Sequence, residues 1–219
     1  MNLIIEGSEC NFKTTIANKL SKKLNMPIKK GSSFELATGS NADLYSYFLE
    51  VSNLKNTIID RSIYSNLVYS PLYEGYAMIT PEQYIILENR LKKNSIVVYL
   101  TSPVDTIVQR IKDRGDEYIR ADYEELDKIS KKYTEVFSKA VKNGVKVYTF
   151  DTSVLSSDEI TSQLLELFSH KIHSEDVKSE YIHCIECGKE VLRKNAQFTE
   201  KCCVTCYEKI FYDILDINN

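Results

Sequence analysis

Three features of the 219-residue sequence predict an α/β fold, a parallel sheet covered by helices on both faces. Short apolar runs alternate with stretches of helical periodicity along most of the chain. One run, Ser95-Ile96-Val97-Val98-Tyr99-Leu100, is continuously apolar, as in a strand buried on both sides. A glycine-containing turn stands between the first apolar run and the first helical stretch, the place where such folds bind anions.

The elements follow in order. Leu3-Ile4-Ile5 predicts a strand, and Ile16, Ala17, Leu20 and Leu24 recur at helical spacing after it. Asn56-Thr57-Ile58-Ile59-Asp60 predicts a strand ending on a carboxylate. Thr80-Pro81-Glu82-Gln83 reads as a helix start, with Pro at the first helical position and Gln placed for a capping box; Tyr84, Leu87 and Leu91 supply its buried stripe. Past the apolar strand, Thr101-Ser102-Pro103 opens a helix bearing Val104, Ile107, Val108 and Ile111. Leu126, Ile129, Tyr133, Phe137 and Val141 mark a long helix that Asn143-Gly144 stops. Val145 to Phe150 is the last strand of this part, and Ser157-Asp158-Glu159 caps a helix through Ile160, Leu164 and Phe168. The polar, aperiodic stretch from His170 to Tyr181 predicts a linker. The organisation expected is therefore a main domain at 1–169, a linker at 170–181 and a small domain at 182–219.

Bulk properties narrow the function. The net charge of -3 argues against wholesale wrapping of nucleic acid. No apolar run reaches the 18 or so residues of a membrane helix, and Met1 to Ile5 reads as a strand rather than a signal peptide. A cytoplasmic location is expected, where six cysteines suit metal better than disulfides.

The segment Glu6-Gly7-Ser8-Glu9-Cys10-Asn11-Phe12-Lys13-Thr14-Thr15 follows a strand and opens a helix, the context a phosphate-binding loop requires. Backbone N–H groups at the helix start cradle phosphate oxygens. Lys13 would reach the β- and γ-phosphates of ATP and Thr14 would ligate Mg²⁺, with Gly7, Asn11 and Thr15 completing the cradle. Phe12 stands where the usual pattern has its second glycine. Asp60, at a strand's carboxyl end, is placed to hold a magnesium-bound water or orient an attacking oxygen, and Arg61 to clamp a phosphate; a helix cap paired with Arg61 is the structural alternative.

These motifs resemble those of the thymidylate kinase family, within the nucleoside and nucleoside monophosphate kinases. The family's Glu-Gly-x-Asp/Glu-x-x-Gly-Lys-Thr-Thr loop is matched by Glu6, Gly7, Glu9, Lys13, Thr14 and Thr15. Its Asp-Arg-x-x-x-Ser-Asn/Ser-x-Ala-Tyr segment is matched by Asp60, Arg61, Ser65, Asn66 and Tyr69, with Val68 for the alanine. The resemblance implies a P-loop kinase fold over residues 1–168 and a homodimer paired through helices. It implies a contact from Glu9 to the acceptor's sugar hydroxyl, Asn66 on a pyrimidine edge, Tyr69 under the sugar and Phe48 stacked on the base. The stretch Arg61-Ser62-Ile63-Tyr64-Ser65 is also similar to an Arg-Ser-x-Tyr-Ser stretch in deoxynucleoside kinases, for which Glu35 is a candidate base. Ile28-Lys29-Lys30-Gly31-Ser32-Ser33 replaces an Arg-Glu-Pro-Gly turn of the family. Arg110, Arg114 and Arg120 form the expected lid over ATP, with Arg114 foremost in catalysis; a solvated helix end is the plainer reading.

Cys184-Ile185-Glu186-Cys187 and Cys203-Val204-Thr205-Cys206 have the spacing of a tetrahedral Zn²⁺ site, a zinc ribbon that can dock nucleic acid or a protein. Transfer of a phosphoryl group from ATP to dTMP is the leading expectation. A thymidine-type deoxynucleoside kinase is the second, and a binding module with a degenerate phosphate loop the third.

Overall fold

A computed structural model describes residues 1–31, 37–115 and 120–168 in full, the backbone of 169–176, and the short strands at 181–183, 190–192, 196–197 and 202–203. The chain forms two compact units, Met1–Gln163 and Leu164–Asn219.

The first unit is a five-stranded parallel sheet. In chain order the elements are β1 (Asn2–Glu6), α1 (Lys13–Leu24), β2 (Ile28–Lys30), α2 (Asn41–Ser52), β3 (Ile58–Asp60), α3 (Ile63–Tyr69) and α4 (Pro81–Asn94). They are followed by β4 (Ser95–Thr101), α5 (Val104–Arg114), α6 (Tyr123–Lys142), β5 (Val147–Asp151) and α7 (Ser157–Asp176). Strand order is β2-β3-β1-β4-β5, so β1 lies in the middle and all five of its residues are buried. Its apolar run is read from both faces, as parallel sheets demand. Register pairs Ile5 with Asp60 on one side and with Val98 on the other. The carboxyl ends of β1 and β3 therefore open side by side, where ligands bind in open α/β sheets.

The capping box at α4 forms as predicted: the Thr80 side chain accepts from Gln83 N–H while the Gln83 side chain accepts from Thr80 N–H. Asp122 and Ser40 cap α6 and α2 in the same manner. Two boundaries differ from the sequence expectation. Ile28–Lys30 is an edge strand paired to β3, although two of its three residues are lysines; charged side chains suit an edge that must not pair further. Helix α7 runs to Asp176, into the segment expected as linker, because no glycine or proline stands between Ser157 and Glu180 to stop it.

In the second unit the backbone forms two antiparallel hairpins, β6 (Tyr181–His183) with β7 (Glu190–Leu192) and β8 (Ala196–Gln197) with β9 (Cys202–Cys203). Among the described residues no helix is long and apolar enough to cross a membrane.

Candidate active site

The loop between β1 and α1 keeps the shape of an anion cradle without its second glycine. Gly7 has φ 144°, and a Cβ there would stand 2.2 Å from the Leu100 carbonyl oxygen, so no other residue fits. Cys10 and Phe12 both take left-handed conformations, with φ of 56° and 59°. For an L-residue that conformation costs about 1–2 kcal/mol. Phe12 is nevertheless the N-cap of α1, and its carbonyl accepts the first helical bond from Ile16 N–H at 2.9 Å. Its ring packs against the Arg110 guanidinium, 4.6 Å from ring centroid to Cζ.

Two polar side chains tie this loop to the neighbouring strand ends, and a third braces it internally. Asn11 is buried; its Oδ1 accepts from Ser102 Oγ and Thr152 Oγ1, each at 2.8 Å, and its Nδ2 donates to Ser8 Oγ at 2.8 Å. Arg110 donates to Cys10 O at 3.1 Å, Thr152 Oγ1 at 2.8 Å and Thr152 O at 2.6 Å. Lys13 folds back to donate to Ser8 O at 2.6 Å. Burial, and then the positive charge of Arg61, push its ammonium down to about 8. Thr14 and Thr15 are exposed. A cavity of about 320 Å³ is lined by these residues together with Glu9, Arg110 and Arg114.

The second half of the site grows from β3. Arg61 has φ 69°, and its backbone N–H donates to Ile5 O at 2.9 Å. Gly31 lies so close to it that a Cβ on Gly31 would sit 1.5 Å from Arg61 O. Glycine at 31 is what lets the edge strand end beside Arg61. The Arg61 side chain pairs with Glu9 of the phosphate loop and donates to Tyr133 OH at 3.2 Å and Tyr69 OH at 3.4 Å. Glu9 also lines a second cavity of about 430 Å³ with Ser8, Tyr69, Tyr73, Tyr76, Arg120, Glu125, Leu126 and Ile129. Tyr73 stacks on Tyr69 and meets Tyr76, while its hydroxyl donates to Glu125. Burial and the Glu125 carboxylate raise the Tyr73 phenol, which stays a donor.

Between the two halves lies Glu6, fully buried. Its carboxylate accepts from Ser62 N–H at 2.7 Å, Ser62 Oγ at 2.8 Å and Ser65 Oγ at 2.6 Å. Burial raises its pKa, opposed by the Ser65 and Ser62 hydrogen bonds and by Arg61. All three partners donate, so the carboxylate form is the one the pocket is built to hold. Tyr133 OH donates to Gly7 O at 3.2 Å and lies 3.0 Å from Ser65 Oγ. Glu6, Ser62, Ser65 and Tyr133 thus fasten the acceptor motif to the phosphate loop. Glu6, Ser62 and Ser65 stand in the quoted motifs, whereas nothing in the local sequence marks Tyr133 as a site residue; α6 brings it in from 126 residues away.

The structure places Glu9, Asn11, Lys13, Thr14, Thr15, Arg110 and Arg114 around one cavity, and Glu9 and Tyr69 around the other, with Arg61 bonded to both Glu9 and Tyr69. Arg120 lines the acceptor-side cavity rather than the one expected for ATP. Phe48 is 1% exposed in the core with Leu44 and Val51, since those three share one face of α2 and that face is inward. Asn66 is also buried: its amide donates to Ala77 O at 2.8 Å and accepts from Ile79 N–H at 3.4 Å, holding the loop before α4. Glu35 lies outside the described residues. So do the side chains of Cys184, Cys187, Cys203 and Cys206; among the described residues no cluster of His, Cys, Asp or Glu is arranged for a metal. The donor set that suits Mg²⁺, an oxygen-seeking cation, is the exposed Thr14 hydroxyl and Asp60, whose buried Oδ1 has no hydrogen-bond partner.

A phosphate-loop turn at the head of a parallel sheet, beside a pocket held by an arginine-carboxylate pair, defines a nucleotide-binding P-loop kinase fold. The deoxynucleoside kinase family profile matches residues 28–174. The chain belongs to that family. It is 43% identical over 165 residues to the SPbeta prophage-derived uncharacterized protein YorR of Bacillus subtilis strain 168, covering 75% of this chain and 97% of that one. The crystal structure of YorR in complex with phosphorylated GDP is similar with a TM-score of 0.73 at 42% identity, over 79% of this chain and 98% of YorR. Candida albicans thymidylate kinase shares the fold, with a TM-score of 0.53 at 20% identity over 78% of this chain and 91% of that one.

Proposed function

We propose that the first unit transfers the γ-phosphoryl group of ATP to the 5′-oxygen of a deoxynucleoside. The carrying observation is the Glu9–Arg61 pair, shared between a phosphate cradle and a tyrosine-walled cavity. Lys13 and Arg114 neutralise charge on the transferring group. Asp60 orients the attacking oxygen; Thr14 and Asp60 would hold Mg²⁺, which would supply further charge neutralisation when bound. Glu9 and Arg61 fix the sugar, with Tyr69 beside it. Charge in the acceptor cavity gives an uncharged acceptor no disadvantage: Glu9 is paired with Arg61, and of the remaining described ionisable lining Glu125 offsets Arg120. A dianionic phosphate entering there would meet no excess of positive charge.

Conversion of dTMP to dTDP is the second reading. Arg120 in the acceptor cavity and the thymidylate kinase-like Asp60–Tyr69 segment favour it. A coupled assay with thymidine, deoxycytidine, deoxyguanosine, deoxyadenosine and their monophosphates, using ATP and GTP as donors, separates the two. Turnover of monophosphates alone would overturn the nucleoside reading, and absence of any turnover would overturn both.

For the second unit we propose a structural Zn²⁺ held by Cys184, Cys187, Cys203 and Cys206. Cys184 directly follows β6 and Cys203 ends β9, so each Cys-x-x-Cys pair leaves a hairpin strand, the setting of a zinc knuckle. The family match stops at residue 174, which is consistent with an added module. Metal analysis of the purified full chain should give one zinc per chain, and less than a third of that would reject it. A homodimer remains the expectation for the first unit, checked by sedimentation.

A further inference from the structure

Phe12 is a residue of the phosphate loop that its proposed chemistry leaves without a task. A glycine would adopt the same left-handed backbone without strain, so the ring is kept against a local preference. Its placement is specific. The side chain is half-buried and lines the donor cavity beside Thr14, Thr15 and Arg114. It is the single aromatic among the described residues of that lining. Arg110 sits over it at 4.6 Å, and that guanidinium is immobilised by its bonds to Cys10 and to both oxygens of Thr152. The ring is therefore held in one orientation, so a ligand stacking on it loses little further freedom.

We infer that Phe12, backed by Arg110, is the platform on which the purine base of the donor nucleotide stacks. The inference rests on the reading that the loop binds a triphosphate. Lysine, threonine and backbone N–H groups serve the phosphates. What remains of a nucleoside triphosphate beyond them is a sugar and a flat π-system, and base stacking on an aromatic side chain is favourable without hydrogen-bond readout. Such a platform accepts adenine and guanine alike and grips the smaller pyrimidines less. It also explains how a loop lacking its second glycine stays useful: the strain at Phe12 is exchanged for base affinity rather than for phosphate affinity.

Titration calorimetry of the full chain with Mg-ATP and with Mg-tripolyphosphate tests this, because the second ligand has the phosphates and no base. Phe12→Leu and Phe12→Gly should each weaken ATP roughly tenfold and leave tripolyphosphate within about twofold, while Phe12→Tyr keeps both. Equal weakening of both ligands would assign Phe12 to loop shape alone and overturn the inference. So would Phe12→Gly binding ATP as tightly as the wild type or more so, since the ring would then be an obstruction. Lys13→Ala keeps the underlying reading separate: it should weaken both ligands, whichever way the Phe12 variants behave. Wild-type protein that binds neither ligand would overturn the phosphate reading and this inference with it.

Discussion

The donor loop and the acceptor pocket meet at Glu9 but are built by different means. The donor side is made mostly of backbone and of residues adjacent in sequence, Gly7 to Thr15, braced by Asn11 and Arg110. The acceptor side is a collection of side chains from β1, β3, α3 and α6, and none of its polar contacts is local except those within Asp60–Tyr69. A backbone site tolerates an unusual residue such as Phe12 as long as the dihedral is kept. A side-chain site depends on every partner being satisfied, because each buried polar atom left alone costs about 1–3 kcal/mol.

That contrast predicts where single changes hurt most. Lys13→Ala removes the donor-loop side chain proposed to neutralise the transferring phosphates, and should lower kcat by about 10²–10³-fold, the range for losing one charge-stabilising donor. Thermal stability should not fall, since burial that pushes the Lys13 ammonium down to about 8 makes its charge a cost to the fold rather than a support. A kcat loss below tenfold would mean that the backbone cradle alone carries the charge.

Glu6→Ala is the corresponding break on the acceptor side, with the opposite balance. It leaves Ser62 N–H and the Ser62 hydroxyl without their partner in a buried pocket, with Ser65 keeping only Tyr133 and Arg61, and should cost about 3 kcal/mol of stability in denaturant unfolding. Activity should fall through kcat and through KM for the acceptor, while ATP affinity changes less, because Glu6 reaches the phosphate loop only by its own backbone. Glu6→Gln keeps one acceptor oxygen and should recover part of both.

The same contrast explains what was legible in the sequence. Central strands, the Thr80–Gln83 capping box and the donor loop were readable because each is encoded within a few residues: an apolar run, a cap spacing, a Lys-Thr after a strand. Arg120, Phe48 and Asn66 went elsewhere than expected, since a motif match gives residue types and not the face they occupy. Phe48 belongs to the stripe Leu44-Phe48-Val51, and that periodicity points to the core. Tyr133 and Glu125 were invisible as site residues because only packing of α6 against α3 brings them in. Tyr69, Tyr73 and Tyr76 did carry a local signal, an aromatic every three or four residues, that marks one wall of a pocket only once the helix end is placed.

A pH experiment sharpens the donor half. In the folded protein Lys13 loses its proton near pH 8, against 10.5 for an ordinary lysine. Only the charged form attracts phosphate, so Mg-ATP affinity should hold up to about pH 8 and then fall, approaching tenfold per pH unit. Binding above that pH should take up a proton, visible as a buffer-dependent heat. The unfolded chain binds more protons between those two values, so the Lys13 contribution to stability rises with pH over that window. Tyr69 and Tyr133, both raised by burial, stay neutral there and do not blur the transition. A flat ATP affinity from pH 7 to 9.5 would show that Lys13 is not the phosphate-binding cation.

The smallest expected effect probes the acceptor half. Glu125→Gln removes a negative charge from the tyrosine-walled cavity while keeping a carbonyl oxygen to accept from Tyr73. Glu125 is partly solvated, so its repulsion of a phosphate is worth about 0.5 kcal/mol, and the ratio of kcat/KM for dTMP over thymidine should rise by about twofold. The sign matters more than the size. If the cavity is shaped for a neutral sugar hydroxyl, removing the carboxylate relaxes a discrimination that charge imposed, and thymidine turnover barely moves. A ratio that falls would mean that Glu125 instead orients Arg120 toward an acceptor phosphate, and the monophosphate reading would take the lead.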